Sequence, residues 1–251
     1  MERTNFRVLG VTLPLGVFIK HTISAYEAEV LSYVAERTTI PVPIVIDSVQ
    51  LKEDQFLLIM TRLPGNDLDS TFRDMTAEQT AHVTRQLSEF LAQIRAIPPP
   101  QPGVCGLGGG PIHDNRLSFG MYPWGPFGSV YEFHDYLVER AALRLDECEH
   151  PDEVLAVIKK SHSKCHRVYF THGDFHPGNV LVDDEYNVTG IVDWEMAAWM
   201  PEYWDYTKSL YLPYYKSKKG KWFEVMTKIY PQYSDEIAAE IEIFNWRRCY
   251  N

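Results

Sequence analysis

The 251-residue sequence predicts an α+β fold. A β-rich N-terminal part, residues 1–62, with a small sheet precedes a mainly helical part, residues 63–251. Three observations carry this. Short apolar runs broken by Gly, Pro and Asp fill the first part. From Thr76 onward, apolar residues recur at helical spacing behind capping residues. A single strand–turn–strand pattern, Val180–Val192, interrupts the helices.

In chain order, residues 6–20 read as two short strands, the second ending on Val17-Phe18-Ile19-Lys20. Ser24 is placed as an N-cap for a helix over Ala25–Arg37, whose apolar stripe is Ala28, Leu31 and Val34. Glu27 and Glu29 sit near its start, where carboxylates complement the helix dipole. Ile40–Ile46 is expected as a turn into a buried strand, because Pro41 and Pro43 exclude helix. Phe56–Met60 is a further apolar strand. Thr61–Gly65 then turns polar around Pro64 and Gly65 and marks a hinge. Thr76 and Gln79 form a capping box. The helix behind it carries Val83, Leu87, Phe90, Leu91, Ile94 and Ile97 as a stripe that buries one face, and Pro98-Pro99-Pro100 stops it. Residues 98–128 are rich in Gly and Pro. The run Gly108–Gly110 is not a phosphate loop, since no strand precedes it and no Gly-Lys-Ser/Thr follows. Ser129 and Glu132 open a helix to about Leu145, and Glu153–Ser161 is another. Val168–Thr171 is a strand. Glu202–Tyr206 starts a helix, and the aromatic remainder, with Trp222, Phe223, Tyr230, Phe244 and Trp246, reads as helical core.

A formal net charge of −10 disfavours nucleic acid, whose phosphates need neutralising, and is compatible with a cationic small molecule. The four cysteines lack paired spacing. With no secretory segment at the start, they suit a reducing, cytoplasmic setting. No apolar run approaches the roughly 20 residues that span a bilayer.

The chemistry concentrates between His172 and Glu195. The loop His172-Gly173-Asp174-Phe175-His176-Pro177-Gly178-Asn179 leads into Val180–Val182. Asp183–Asn187 is a turn, and Val188–Val192 leads out to Asp193-Trp194-Glu195. A hairpin returns its two ends to one side, so Asp174, Asn179 and Asp193 are expected at the same end of a small sheet. Two carboxylates and an amide carbonyl suit Mg²⁺ with phosphate, a hard cation that takes few protein carboxylates. A zinc reading of His162, Cys165, His166, His172 and His176 is weaker. The strand Val168–Thr171 sends the first three and the last two to opposite ends, and no short ligand pair is present.

The interval Asp174-x-x-x-x-Asn179, followed one hairpin later by Asp193, is that of the kinase catalytic loop and its metal-binding Asp. The form H-G-D-x-x-x-x-N with I-V-D-W-E resembles the aminoglycoside phosphotransferase and choline kinase superfamily. Thr38-Thr39-Ile40-Pro41-Val42-Pro43, Gly109-Gly110-Pro111 and Gly125-Pro126-Phe127 are similar to its fungal members. The resemblance implies a two-lobed protein-kinase-like fold, with an antiparallel-sheet N-lobe (1–62) and a helical C-lobe (63–251). It implies ATP and Mg²⁺ as cofactors and a small molecule as acceptor. Lys20, held by Glu27, would orient the phosphates. Thr61 to Leu63 would meet the adenine, with Met60 behind it. Asn179 and Asp193 would hold metal, and Asp174 would be the base. His176, Glu195, Glu202 and Asp205 are acceptor-side candidates, and the 98–128 segment a wall of that site. One departure is the Gly-rich loop that covers kinase phosphates, for which only Gly10 and Gly16 are present. Two other readings follow from it: a nucleotide-binding module without turnover, and a repurposed fold whose chemistry proceeds without ATP.

Overall fold

A computed structural model of the chain describes residues 10–116, 123–210 and 219–247. Their contacts form two compact units, one of residues 1–90 with 177–195, the other of residues 91–176 with 196–251. This division differs from one at residue 62. The hairpin that begins at Val180 pairs with the strand that follows the hinge, and so belongs to the first unit.

The first unit opens with β1 (Val11–Leu13), β2 (Val17–Thr22), α1 (Tyr26–Arg37), β3 (Val45–Lys52) and β4 (Gln55–Thr61). The strands form an antiparallel sheet in the order β1-β2-β4-β3, with Lys20 paired to Leu58. Helix α1 buries Ala28, Val30, Leu31 and Val34. Its N-cap is Ala25 rather than Ser24, although Ser24 Oγ still accepts from Tyr26 N–H. The strand expected over Ile40–Ile46 begins instead at Val45. Ile40, Val42 and Pro43 are buried as extended chain before it, while Ile44 and Ile46 are 65% and 54% exposed. Prolines cannot donate to a ladder, and β3 is an edge strand bonded only to β4, which leaves most of its side chains in solvent.

After the hinge come β5 (Asn66–Asp67), the helical turn α2 (Leu68–Thr71) and α3 (Ala77–Arg95). The Thr76–Gln79 capping box is reciprocal, with bonds of 2.7 and 3.2 Å. The hairpin strands β7 (Val180–Val182) and β8 (Val188–Ile191) join β5 in a three-stranded sheet ordered β5-β7-β8. Asp183 Oδ1 accepts from the N–H groups of Glu185 and Asn187 and so fixes the turn. Gly65 stands at φ +101, where a Cβ would lie 2.5 Å from the Val182 carbonyl oxygen.

The second unit contains α4 (Val130–Ala141), α5 (Pro151–His162), β6 (Val168–Thr171), β9 (Ala198–Pro201), α6 (Trp204–Leu210), α7 (Lys219–Ile229) and α8 (Ser234–Trp246). Helix α4 stops at Ala141, short of Leu145, because Ala142 turns left-handed. Strands β6 and β9 form a two-stranded antiparallel ladder, Thr171 opposite Ala198 and Val168 opposite Pro201. Its core is aromatic: Phe133, Phe170, Trp199, Tyr203 and Trp204 are all under 2% exposed. Phe223, read as core, is 46% exposed on α7. The Gly/Pro-rich segment is tied down by isolated bridges, Val104 to Phe127, Cys105 to Trp199 and Ile112 to Trp124. Part of it, residues 117–122, lies outside the described residues, as does the start of the strand pair expected from residue 6. No helix among the described residues is long and apolar enough to cross a membrane.

His134 and His162 stack at 4.0 Å between ring centroids, and His134 Nε2 bonds the Tyr203 hydroxyl at 2.8 Å. Burial pushes their pKa values down to about 4 and about 3, with mutual repulsion helping for His162.

Two predictions follow from this packing. Gly65→Ala forces a left-handed alanine against the Val182 carbonyl and should lower stability by at least about 1 kcal/mol in urea unfolding. The folded state binds protons at His134 and His162 more weakly than the unfolded chain. Stability from this pair is therefore complete above about pH 6.5 and lost as pH falls towards about 4. Thermal melts between pH 7 and 4.5 should show the loss, and His162→Phe should reduce it.

Candidate active site

In the first unit, β2 ends its buried face on Lys20, 4% exposed. Its ammonium donates to Glu27 at 2.7 Å, Asp193 at 2.6 Å and Glu195 at 3.1 Å. Each partner arrives by a separate route: Glu27 from the first turn of α1, Asp193 and Glu195 from the chain after β8. Asn179 closes a helical turn before β7, and its carbonyl accepts from Val192 N–H at 3.0 Å. This bond ties the start of β7 to the end of β8 and brings Asn179 beside Asp193. Asp193 itself holds φ +67, a left-handed conformation rare outside glycine that persists only where its surroundings enforce it.

These residues form the charged end of a cavity of about 370 Å³. Phe18, Met60, Leu63, Leu181 and Val192 make its apolar wall, and Lys20, Glu27, Asn179 and Asp193 its polar end, with Thr61 also lining it. An apolar slot with a few convergent polar groups at one end is the usual form of a small-molecule site. Seven sequence-predicted residues thus meet in one place: Lys20, Glu27, Met60, Thr61, Leu63, Asn179 and Asp193. Sequence reasoning missed Phe18, Leu181 and Val192. Their signal is strand alternation, which separates faces but does not say which face meets a ligand.

The electrostatics are lopsided. Burial pulls the Lys20 pKa down, but Glu27, Asp193 and Glu195 outweigh it and raise it above the ordinary lysine value. Burial pushes Glu27 up to about 7 against the pull of Lys20, with Asp193 and Glu195 repelling it further. Three carboxylates share one ammonium, and one oxygen from each lies within 4.8 Å of the others. Asp193 and Glu195 keep 35% and 38% of their side chains exposed. The donor set is hard oxygen with excess negative charge, which fits Mg²⁺ better than a thiolate- or imidazole-seeking metal.

In the second unit, β6 delivers the loop His172–Asp174. Gly173 stands at φ +80, where a Cβ would run into the Met196 carbonyl. Asp174 N–H donates to His172 Nδ1 at 3.2 Å, and His176 Nε2 lies 3.6 Å from Asp174 Oδ2. Burial works to raise the Asp174 pKa. The hydrogen bond from His176 and the charges of Lys208, His176 and His172 override it and bring it to about 2. Asp205, expected on the acceptor side, instead grips this loop from α6. It is 2% exposed, and its carboxylate accepts from Gly173 N–H at 2.8 Å, His172 N–H at 3.2 Å and Tyr230 O–H at 3.4 Å. Glu202 lies at the other end of the β6–β9 ladder from Asp174, bonded to Arg167 N–H and beside His166. Glu195 is drawn to Lys20 in the first unit. Of the zinc candidates, His162 and His166 lie near that same far end, His172 and His176 at the Asp174 end.

Asp205→Ala removes the acceptor from two buried loop N–H groups and a buried phenol. It should lower stability by about 3 kcal/mol in urea unfolding and speed amide exchange at His172 and Gly173. Asp205→Asn, which keeps one carbonyl acceptor, should lose less.

A model of the phosphotransferase enzyme family matches residues 23–243. No curated protein matches the sequence significantly. Solved structures share its fold. An apo thermostable mutant of the aminoglycoside phosphotransferase APH(4)-Ia aligns at TM-score 0.61 and 16% identity, over 94% of this chain and 84% of that one. A variant of the same enzyme in ternary complex with AMP-PNP and hygromycin B aligns at 0.60 and 16%, over 94% and 83%. The GDP complex of wild-type aminoglycoside 2'-phosphotransferase-IIIa aligns at 0.62 and 14%, over 95% and 79%. These likenesses show a protein-kinase-like α+β fold, and the match over residues 23–243 shows that the chain belongs to the phosphotransferase enzyme family.

Proposed function

We propose that the protein is a small-molecule kinase that transfers the γ-phosphoryl group of ATP, with Mg²⁺, to a hydroxyl (or amine) of a small acceptor. The observation that carries this reading is the first-unit cavity, an apolar slot that ends on the Lys20–Glu27 pair beside Asn179 and Asp193. The nucleotides in the complexes of the similar solved structures, AMP-PNP and GDP, agree with such a slot. The motifs around Pro41–Pro43 and Gly109–Pro111 favour kinship with fungal members of the family.

In this reading the base lies against Met60 and Leu181. The N–H groups of Thr61 and Arg62 already donate to the carbonyls of Ile44 and Gly16, so the base edge is read by Leu63 N–H and by hinge carbonyls. Lys20, fixed by Glu27, binds phosphate oxygens. Asn179 and Asp193, with Glu195 close by, would hold one or two Mg²⁺ ions, which neutralise phosphate charge and orient the triphosphate when bound. Where kinases carry a Gly-rich loop, the short turn Pro14–Gly16 joins β1 to β2.

Asp174 accepts the hydrogen bond of the acceptor hydroxyl. As that oxygen bonds to the γ-phosphorus, the bond to the bridging oxygen breaks, ADP leaves, and the hydroxyl proton passes to Asp174. A carboxylate with a pKa of about 2 is a weak base. It suits a loose transition state, in which the nucleophile needs orientation more than early deprotonation. His176, beside Asp174, is the acceptor-side candidate kept from the four. Asp205 and Glu202 are assigned to structure, and Glu195 to the metal end.

Mg·ATP should raise the melting temperature of the wild type by mass action, and chelation should cancel the shift. In Asp193→Ala the magnesium-dependent part should vanish and phosphoryl transfer should drop by at least about 100-fold. An Asp193→Ala protein with unchanged turnover would sink the assignment. Nucleotide binding with no transfer to any acceptor or to water would favour the binding-module reading.

A further inference from the structure

Lys208 is a buried cation in the second unit that the family motifs do not single out. It lies on α6, three residues after Asp205, so the two share a helix face. Asp205 uses that face to hold the backbone of His172 and Gly173. One turn further along, the Lys208 ammonium donates to Asp114 Oδ2 at 2.8 Å and meets Met196 Sδ at 3.0 Å. Met196 in turn packs its backbone on Gly173, the residue before Asp174. The ammonium is therefore carried to the edge of the loop that Asp205 fixes.

Its anchor comes from the Gly/Pro-rich segment. The Asp114 side chain is 1% exposed, the Lys208 side chain 5%. Asp114 Oδ1 accepts from Arg116 N–H at 2.7 Å, and Oδ2 from Trp204 Nε1–H at 3.1 Å as well as from Lys208. With a backbone amide and an indole already donating, Asp114 has hydrogen-bond partners without the lysine. A buried ion pair is seldom worth its desolvation as a stability device. A reason for placing a full positive charge there lies in the loop packed on Met196, where Asp174 follows Gly173.

We propose that Lys208 is a positioning residue for the proposed phosphoryl transfer: anchored by Asp114 and seated against Met196 at the edge of the loop, its ammonium supports the negative charge with which Asp174 orients the hydroxyl of the substrate. This rests on the kinase reading for its purpose but not for its test. The charge of Lys208 is among the influences that lower the Asp174 pKa, after the hydrogen bond from His176 and ahead of the charges of His176 and His172. The 98–128 segment then reaches the chemistry through Asp114.

The test is a carboxyl ¹³C NMR titration of Asp174 in the full-length protein, without nucleotide or acceptor, the signal being assigned by its loss in Asp174→Asn. Over the part of the range from pH 7 to about 3.5 in which the backbone amide spectrum is that of the folded protein, the wild-type signal should stay flat. In Lys208→Met its midpoint should rise by about one pH unit or more, so that titration begins inside that window. Lys208→Arg should restore the flat trace. A flat trace in folded Lys208→Met would overturn the proposal and leave Lys208 as the counter-ion of Asp114. If Lys208→Met does not fold because Asp114 is left charged and buried, Lys208→Met/Asp114→Asn removes the pair together. The signal should move there too, and a flat trace would again overturn the proposal. Failure of the kinase reading shows elsewhere, as absence of a magnesium-dependent nucleotide shift.

Discussion

The buried ammonium of Lys20 is the constraint on which the first unit depends. A lysine this deep is costly to desolvate, and it is tolerated only because three carboxylates surround it. Those carboxylates come from one helix and from the far side of a hairpin more than 170 residues away in sequence. Neutralising Lys20 thus requires α1, β2 and the exit of β8 to be correctly placed together. The same arrangement leaves a surplus of acid, since one positive charge cannot compensate Asp193 and Glu195 together with a Glu27 that burial leaves only partly ionised near neutral pH. In the proposed reading, a site with surplus carboxylate oxygen, two of its members partly open to solvent, gains from a divalent cation. In that reading, structure and metal preference are two consequences of one charge imbalance.

The second unit solves a different problem, that of holding a loop rigid at the end of a two-stranded ladder. Such a ladder is too small to fix its own exits. The loop is held instead by Asp205, which accepts from two consecutive N–H groups, and by the tight fit of Gly173 against Met196. Only glycine fits there, because φ is positive and the Met196 carbonyl occupies the space of a side chain. The aspartate that follows inherits its position from two contacts it does not itself make.

Much of this was legible in the sequence, for physical reasons. The capping box at Thr76 and the hairpin turn at Asp183–Asn187 are local, set by side-chain-to-backbone bonds within a few residues, and the strand Val168–Thr171 is legible from its β-favouring residues. Of the residues lining the cavity, Asn179 and Asp193 were legible because their spacing along the chain carries chemistry, and Lys20, Glu27, Met60, Thr61 and Leu63 through the family resemblance. What was not legible depends on distant partners. Asp205 as a loop brace requires knowing that α6 runs under His172 and Gly173. Ile44 and Ile46 look buried by composition, yet β3 sits at a sheet edge, and edge position is decided by strand order rather than by the strand itself. The hinge at Thr61–Gly65 looked like a boundary, but β5 pairs with β7 and draws the hairpin into the first unit.

A common design runs through both units. Asp193 has Lys20, and Lys20 is anchored by the buried Glu27. In the proposed reading, Asp174 has Lys208, and Lys208 is anchored by the buried Asp114. In each case the anchor, more than nine-tenths buried, holds the lysine in one place. The carboxylate that faces function keeps part of its side chain exposed, 35% for Asp193 and 31% for Asp174. An exposed lysine would serve poorly, since water and salt would screen it and its stem would wander. Burial removes both losses at the expense of desolvation, and the anchor offsets that expense. The anchors come from structure with no chemistry of its own, a helix start in one unit and a Gly/Pro-rich segment in the other. On this argument the segment from residue 98 to residue 128 owes its place in the chain to Asp114 as much as to any surface it presents.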